Sequence, residues 1–169
     1  YNAADPGKSL FRGCTTNPPL SWEAVRSDPD TWGPYVDELV LKNPDLNHQE
    51  IAWLTYKEVV RRGAEAFMPI YEASNGRFGW ISGQLNPRLF TETEQMVHDA
   101  DELRSIAPNV MIKVPASTQG VEVVKVLTSK AIGTNTTTCF TLPQIMAVAD
   151  AAMDGIAVRA EDTRAASET

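Results

Sequence analysis

Apolar residues recur along this chain at two spacings, and the points where one gives way to the other mark the expected elements. Asn47-His48-Gln49-Glu50 has the form of a capping box, in which the Asn side chain and the Glu carboxylate close the first turn of a helix reciprocally. Ile51, Leu54, Val59 and Val60 then fall near one face, and Gly63 predicts the end of that helix. Residues 66–73 and 78–85 read as two short extended segments on either side of Asn75-Gly76, a pair suited to positive φ, with the second as the candidate sheet strand. Thr91-Glu92-Thr93-Glu94 predicts another capping box, ahead of Met96, Val97, Ala100, Leu103 and Ile106 at helical spacing until Pro108 interrupts. The run Val110-Met111-Ile112-Lys113-Val114-Pro115 reads as a strand. A helix over residues 119–130 follows, with Val121, Val124 and Leu127 as its buried stripe, and then a threonine-rich strand over residues 131–140. Pro143 suits the first turn of a last helix packed through Ile145, Met146, Ala149, Ala152 and Met153, and residues 161–169 read as a fraying polar tail. Alternation of this kind predicts successive β/α units on a parallel sheet, with roughly five strands.

Composition narrows the classes. With 169 residues, 43% of them hydrophobic, the chain can bury one sizeable core, so a single domain over residues 1–160 is expected, followed by the tail. Its apolar stretches are broken long before the roughly 20 residues a bilayer span needs. The first residues show neither a basic nor an apolar leader pattern, so a cytoplasmic protein is expected. A formal charge of −7 disfavours nucleic acid and anionic lipid as partners. Two cysteines without CxxC spacing and two histidines argue against a zinc site, and no metal or cofactor is expected.

The candidate chemistry centres on Lys113. A lysine within an aliphatic strand either reaches the sheet end or is desolvated, and desolvation favours the neutral amine that can attack a carbonyl. Snorkelling into solvent explains such a lysine equally well when it is taken alone. Two polar clusters accompany it. In Gly13-Cys14-Thr15-Thr16-Asn17-Pro18-Pro19-Leu20, the prolines force the chain out of extended conformation just after Asn17. In Gly133-Thr134-Asn135-Thr136-Thr137-Thr138, period-two alternation puts Asn135 and Thr137 on one face. Taken singly, the threonines are explained by β-propensity and the asparagines by turns or caps.

Together with Ile81-Ser82-Gly83-Gln84-Leu85-Asn86-Pro87-Arg88, these segments resemble, in the right order, the motifs of the transaldolase family. The resemblance runs over nearly the whole chain and is weakest before Gly13 and after about Met153. It implies a (β/α)8 barrel with its site at the C-terminal strand ends, and a metal-free class I aldolase mechanism in which Lys113 forms a Schiff base with a ketose phosphate. It further implies that Asn17, Asn135 and Thr16 bind substrate and that Thr137 positions a catalytic water. Transfer of a three-carbon dihydroxyacetone unit between sugar phosphates, in the pentose phosphate pathway, would follow.

Three features differ from the family pattern. Gln84 stands where transaldolases usually carry a glutamate. It can orient water but cannot exchange a proton near neutral pH, and it resembles the fructose-6-phosphate aldolase branch, which cleaves instead of transferring. The nearest aspartate for the acid/base role is Asp5, closer to Asn17 than the family spacing, with Ala3 as the other occupant of that place. Finally, a (β/α)8 barrel takes about 250 residues, so only the first five or so β/α units are expected. Completion by a copy of the chain or by a second chain, and a catalytically weak fragment serving as an assembly partner, are therefore weighed beside the enzyme.

Overall fold

The computed structural model describes residues 5, 8 and 10–167, and the chain divides into two compact units, Tyr1–Ile81 and Ser82–Thr169. In chain order the elements are β1 (Gly13–Thr15), α1 (Pro18–Ser27), α2 (Pro29–Lys42), α3 (His48–Ala73), β2 (Trp80–Gln84), a 3-10 turn (Pro87–Leu89), α4 (Thr93–Ile106), β3 (Val110–Pro115), α5 (Thr118–Ser129), β4 (Thr134–Thr137) and α6 (Leu142–Ser167). The strands pair in the order in which the chain makes them, and β3 and β4 are parallel. Each strand leads through one or more helices to the next, the pattern of a (β/α)8-type fold represented here by four β/α units.

In the first unit the caps follow from local sequence. Asn17 takes extended backbone, its side chain accepts from Leu20 N, and Pro18 and Pro19 occupy the first helical positions, where their missing N–H groups go unused. Asp28 ends α1 and caps α2 by accepting from Thr31 N. The Asn47 capping box forms in full. The helix it opens does not stop at Gly63, however, and residues 66–73, expected to be extended, are its last turns. Tyr56, Val60, Ala64 and Ile70 continue one buried face across the glycine, and that packing outweighs a propensity cost of about 1 kcal/mol. Gly63 serves close approach, since a Cβ there would lie 2.2 Å from Ile81 Cδ1. Asn75 and Gly76 do adopt positive φ, at 50° and 76°, but they join a helix to β2 and not two strands.

With residues 66–73 helical, four strands stand among the described residues where about five were expected. In the second unit β3 alternates as the sequence predicts: Val110, Ile112 and Val114 are fully buried toward α4 and α5, while Met111, Lys113 and Pro115 are half-buried on the other face. Leu85, Met96, Leu103, Val123, Val124 and Leu127 complete this core, and Val123, not Val121, belongs to the α5 stripe. Each such fully buried side chain stabilises by about 1.5–3 kcal/mol.

Four further expectations are corrected. α4 starts at Thr93 without a side-chain cap, because Thr91 Oγ1 donates to Glu92 and Thr93 Oγ1 to Glu122. β4 is confined to Thr134–Thr137 between two residues of positive φ, Ala131 at 59° and Thr138 at 61°. Ala131 closes a Schellman motif in which Ile132 N bonds Leu127 O and Ala131 N bonds Thr128 O. α6 packs on α5 through Ala151 and Gly155, leaving Ile145, Met146 and Met153 exposed, the reverse of the expected face. It also continues through the polar residues 161–167, whose Ala, Glu and Arg are good helix formers with no Gly or Pro to interrupt them.

Candidate functional site

β3 and β4 bring the central residues together. Their register pairs Lys113 with Asn135 and Pro115 with Thr137, so Lys113, Asn135 and Thr137 share the face of the sheet that carries no helix-facing core residue. In this ladder Ile112 N donates to Gly133 O, the residue before its partner Thr134. Leu85 N donates to Lys113 O at 3.1 Å. By the same parallel rule Leu85 is partnered with Val114, which sets Gln84 beside Lys113. Gln84, Lys113 and Asn135 therefore stand abreast on three neighbouring strands.

Asn135 Nδ2 donates to Ser82 Oγ at 3.0 Å, and Ser82 is 3% exposed. The bond fixes the asparagine amide and identifies Ser82, two residues before Gln84 on the same face, as a member of the constellation. Ser82, Lys113 and Asn135 lie within their strands, and two of the group stand at C-terminal strand ends. Gln84 is the last residue of β2 and Thr137 the last of β4.

Sequence reasoning missed Gln144. Its Oε1 accepts from Phe140 N, Thr141 N and Thr141 Oγ1, each at 3.1 Å, while its Nε2 donates to Ala116 O at 3.1 Å. One side chain thus ties the segment leaving β3 to the segment leaving β4. Thr141-Leu142-Pro143-Gln144 carries the T-x-x-Q spacing of a capping box, the signal by which it was findable. At the same junction Thr138 holds a positive φ that a β-branched residue adopts only where its surroundings impose it.

The remaining predicted residues belong to the first unit, and each has a partner there. Thr16 Oγ1 shares a buried hydrogen bond of 3.0 Å with Tyr56 OH. Asn17 Oδ1 is the cap acceptor for Leu20 N at 2.8 Å. The Asp5 carboxylate meets Lys8 Nζ at 3.0 Å, and Ala3 lies outside the described residues. A perturbed ionisable cluster also lies in this unit, where hydrogen bonds from Arg61 and then Arg62 hold the Glu58 carboxyl below its ordinary range against desolvation. Among the described residues, His98, Asp99 and Glu102 of α4 form a group of metal-ligand type. It sits on a helix and not on the strand face of Lys113, and Asp99 accepts from Gln95 Nε2 at 3.0 Å.

Residues 7–165 match the family described as Transaldolase/Fructose-6-phosphate aldolase. Among curated relatives, the chain is 30% identical over 151 residues to a transaldolase of Thiobacillus denitrificans, a match covering 88% of this chain and 41% of the relative. It is 30% identical over 146 residues to a transaldolase of Thermobifida fusca, covering 85% and 39%. It is 32% identical over 146 residues to one of Mycobacterium bovis, covering 85% and 38%. The chain thus spans about two fifths of the length of these relatives.

Proposed function

The chain belongs to the transaldolase/fructose-6-phosphate aldolase family, and from that premise we propose that Lys113 is the amine that forms an imine with a ketose phosphate. The observation that carries this reading is the row of Gln84, Lys113 and Asn135 on one sheet face. An amine flanked by two amides has donors and acceptors for a polyhydroxylated substrate on both sides and no carboxylate within the row.

In the proposed cycle the neutral Lys113 amine adds to the ketose carbonyl and water leaves. The protonated imine then draws in the electron pair of the breaking carbon–carbon bond, an aldose phosphate departs, and a three-carbon unit remains on Lys113 as the enamine. Addition of that unit to an acceptor aldose, followed by hydrolysis, is transaldolase chemistry on sugar phosphates of the pentose phosphate type, in a cytoplasmic setting. Asn135 holds a substrate hydroxyl and Thr137 a water. Asp5, with its carboxylate paired to Lys8, is a weaker candidate for the proton transfers than a group on the Lys113 face.

Gln84 favours a second reading. An amide beside Lys113 orients water without exchanging protons, which suits release of free dihydroxyacetone by an aldolase. Borohydride trapping tests the shared step. The protein is incubated with fructose 6-phosphate or dihydroxyacetone, reduced and digested, and the added mass is located by mass spectrometry, with Lys113→Ala as control. An adduct on Lys113 that the control lacks is expected; folded protein that never yields one overturns the proposal. Free dihydroxyacetone appearing without an acceptor aldose decides for the aldolase.

A further inference from the structure

A side chain completes the end of the β3–β4 ladder. Pro115 and Thr137 form its last pair, and Thr137 O accepts from Ala116 N at 2.9 Å and from Thr138 Oγ1 at 2.6 Å. Both strands end there, and the half-buried Gln144 amide takes the place of a further peptide group between them. Its Nε2 donates to Ala116 O at 3.1 Å and to Thr138 O at 3.4 Å, while Oε1 accepts from the N–H groups of Phe140 and Thr141. A capping box explains the bond from Thr141 N, but the start of α6 requires neither bond from Nε2. Those two bonds bracket Thr137. On one side lies Ala116, which donates to it, and on the other Thr138, whose φ of 61° a β-branched residue keeps only where its surroundings over-determine it.

We propose that Gln144 is a positioning residue: through Ala116 and Thr138 it holds Thr137 where that threonine directs the water that breaks the Lys113 imine. The inference rests on the reading of Lys113 as the imine-forming amine and of Thr137 as the residue that holds a water. In the hydrolytic step the water oxygen adds to the carbon of the protonated imine. Both water protons pass to the Lys113 nitrogen as the carbon–nitrogen bond breaks, and dihydroxyacetone leaves a protonated amine behind. Imine formation is the same step run backwards. A misplaced water therefore slows both directions by the same factor and leaves the equilibrium amount of imine unchanged, because only the transition state has lost an interaction. Damage to substrate binding or to folding would lower that amount instead.

Timed trapping separates the two. The full chain is mixed with dihydroxyacetone, quenched with borohydride at intervals, and the mass added at Lys113 is followed for the parent, Gln144→Met and Gln144→Glu. Met keeps the length of the side chain and loses every hydrogen bond. Glu keeps the acceptor but turns a carboxylate oxygen toward two carbonyls. In both variants adduct is expected to accumulate roughly tenfold more slowly than in the parent or slower still, and to reach the parent's plateau. As pH is lowered through titration of the new carboxyl, Gln144→Glu is expected to recover toward the parent's rate, since the protonated acid again offers a donor to Ala116 O. Gln144→Met is expected to keep its deficit over the same range. Should Gln144→Met fail to fold, Gln144→Glu compared with its own protonated form carries the test. Equal rates in the parent and the folded variants, with adduct on Lys113, overturn the inference and leave the lysine reading standing. A lowered plateau reached at the parent's rate also overturns it and assigns Gln144 to substrate affinity. A folded parent that gives no adduct overturns the lysine reading, and this inference with it.

Discussion

Asn135 Nδ2 donates to Ser82 Oγ at 3.0 Å across 53 residues of sequence, while Asn135 itself stands in register with Lys113. β3 lies between the two partners, so the hydrogen bond spans the strand that carries the lysine and fixes the amide beside it.

Removing either partner should loosen that amide. Asn135→Ala and Ser82→Ala are each expected to cost about 0.5–1.5 kcal/mol in urea unfolding, with a double variant less destabilised than the sum. Additive effects would show that the two side chains do not depend on each other. Asn135→Ala should also slow borohydride-trapped adduct formation on Lys113 more than Ser82→Ala does, because the proposed cycle gives a substrate contact to the asparagine and none to the serine.

Gln84→Glu puts a carboxylate beside Lys113. The rate of product formation should then acquire a dependence on an ionisation that the parent lacks, and the ratio of transfer to free dihydroxyacetone should rise. Parallel pH profiles for parent and variant would show that position 84 takes no part in proton movement.

Ala131 holds φ at 59° as the C′ residue of a Schellman motif, a conformation that costs a residue with a Cβ about 1 kcal/mol and glycine almost nothing. Ala131→Gly should raise stability by roughly 0.5–1 kcal/mol, seen as a higher urea midpoint at unchanged slope. A lower midpoint would mean that the alanine methyl packs usefully there.

Arg61, and then Arg62, depress the Glu58 carboxyl in the folded protein. A depressed folded value means that the unfolded chain binds the proton more tightly. The resulting stability is therefore present above the ordinary carboxylate range and is lost as pH falls through the folded value. Glu58→Gln should narrow the stability difference between pH 7 and pH 3, measured by thermal unfolding. An unchanged difference would show that other carboxylates carry the acid sensitivity.

Much of this was legible from sequence because it is decided within a few residues. The Asn47 capping box is a contact between positions three apart, and the β3 alternation that separates Val110, Ile112 and Val114 from Lys113 is a property of extended backbone. The lysine and its companions Gln84, Asn135 and Thr137 were all named from their motifs, and the strands place them on one face. Where sequence reading failed, a longer contact had decided the outcome. Gly63 reads as a helix end, yet Ile81 makes it a site of close approach. Ser82 becomes the partner of Asn135 only when the strands are laid side by side, and Gln144 reaches Ala116 across 28 residues.

α6 shows the division most plainly. Its sequence is apolar on two sides, so amphipathic periodicity identifies a helix but leaves open which side is buried. The choice fell to the side bearing Ala151 and Gly155, because only small side chains allow α5 so close. Sequence by itself determined most of the elements, their order and the family, and singled out Lys113 as the candidate amine. Tertiary structure alone decided which neighbours each side chain met, because burial and hydrogen bonding between distant segments depend on packing that no local pattern encodes.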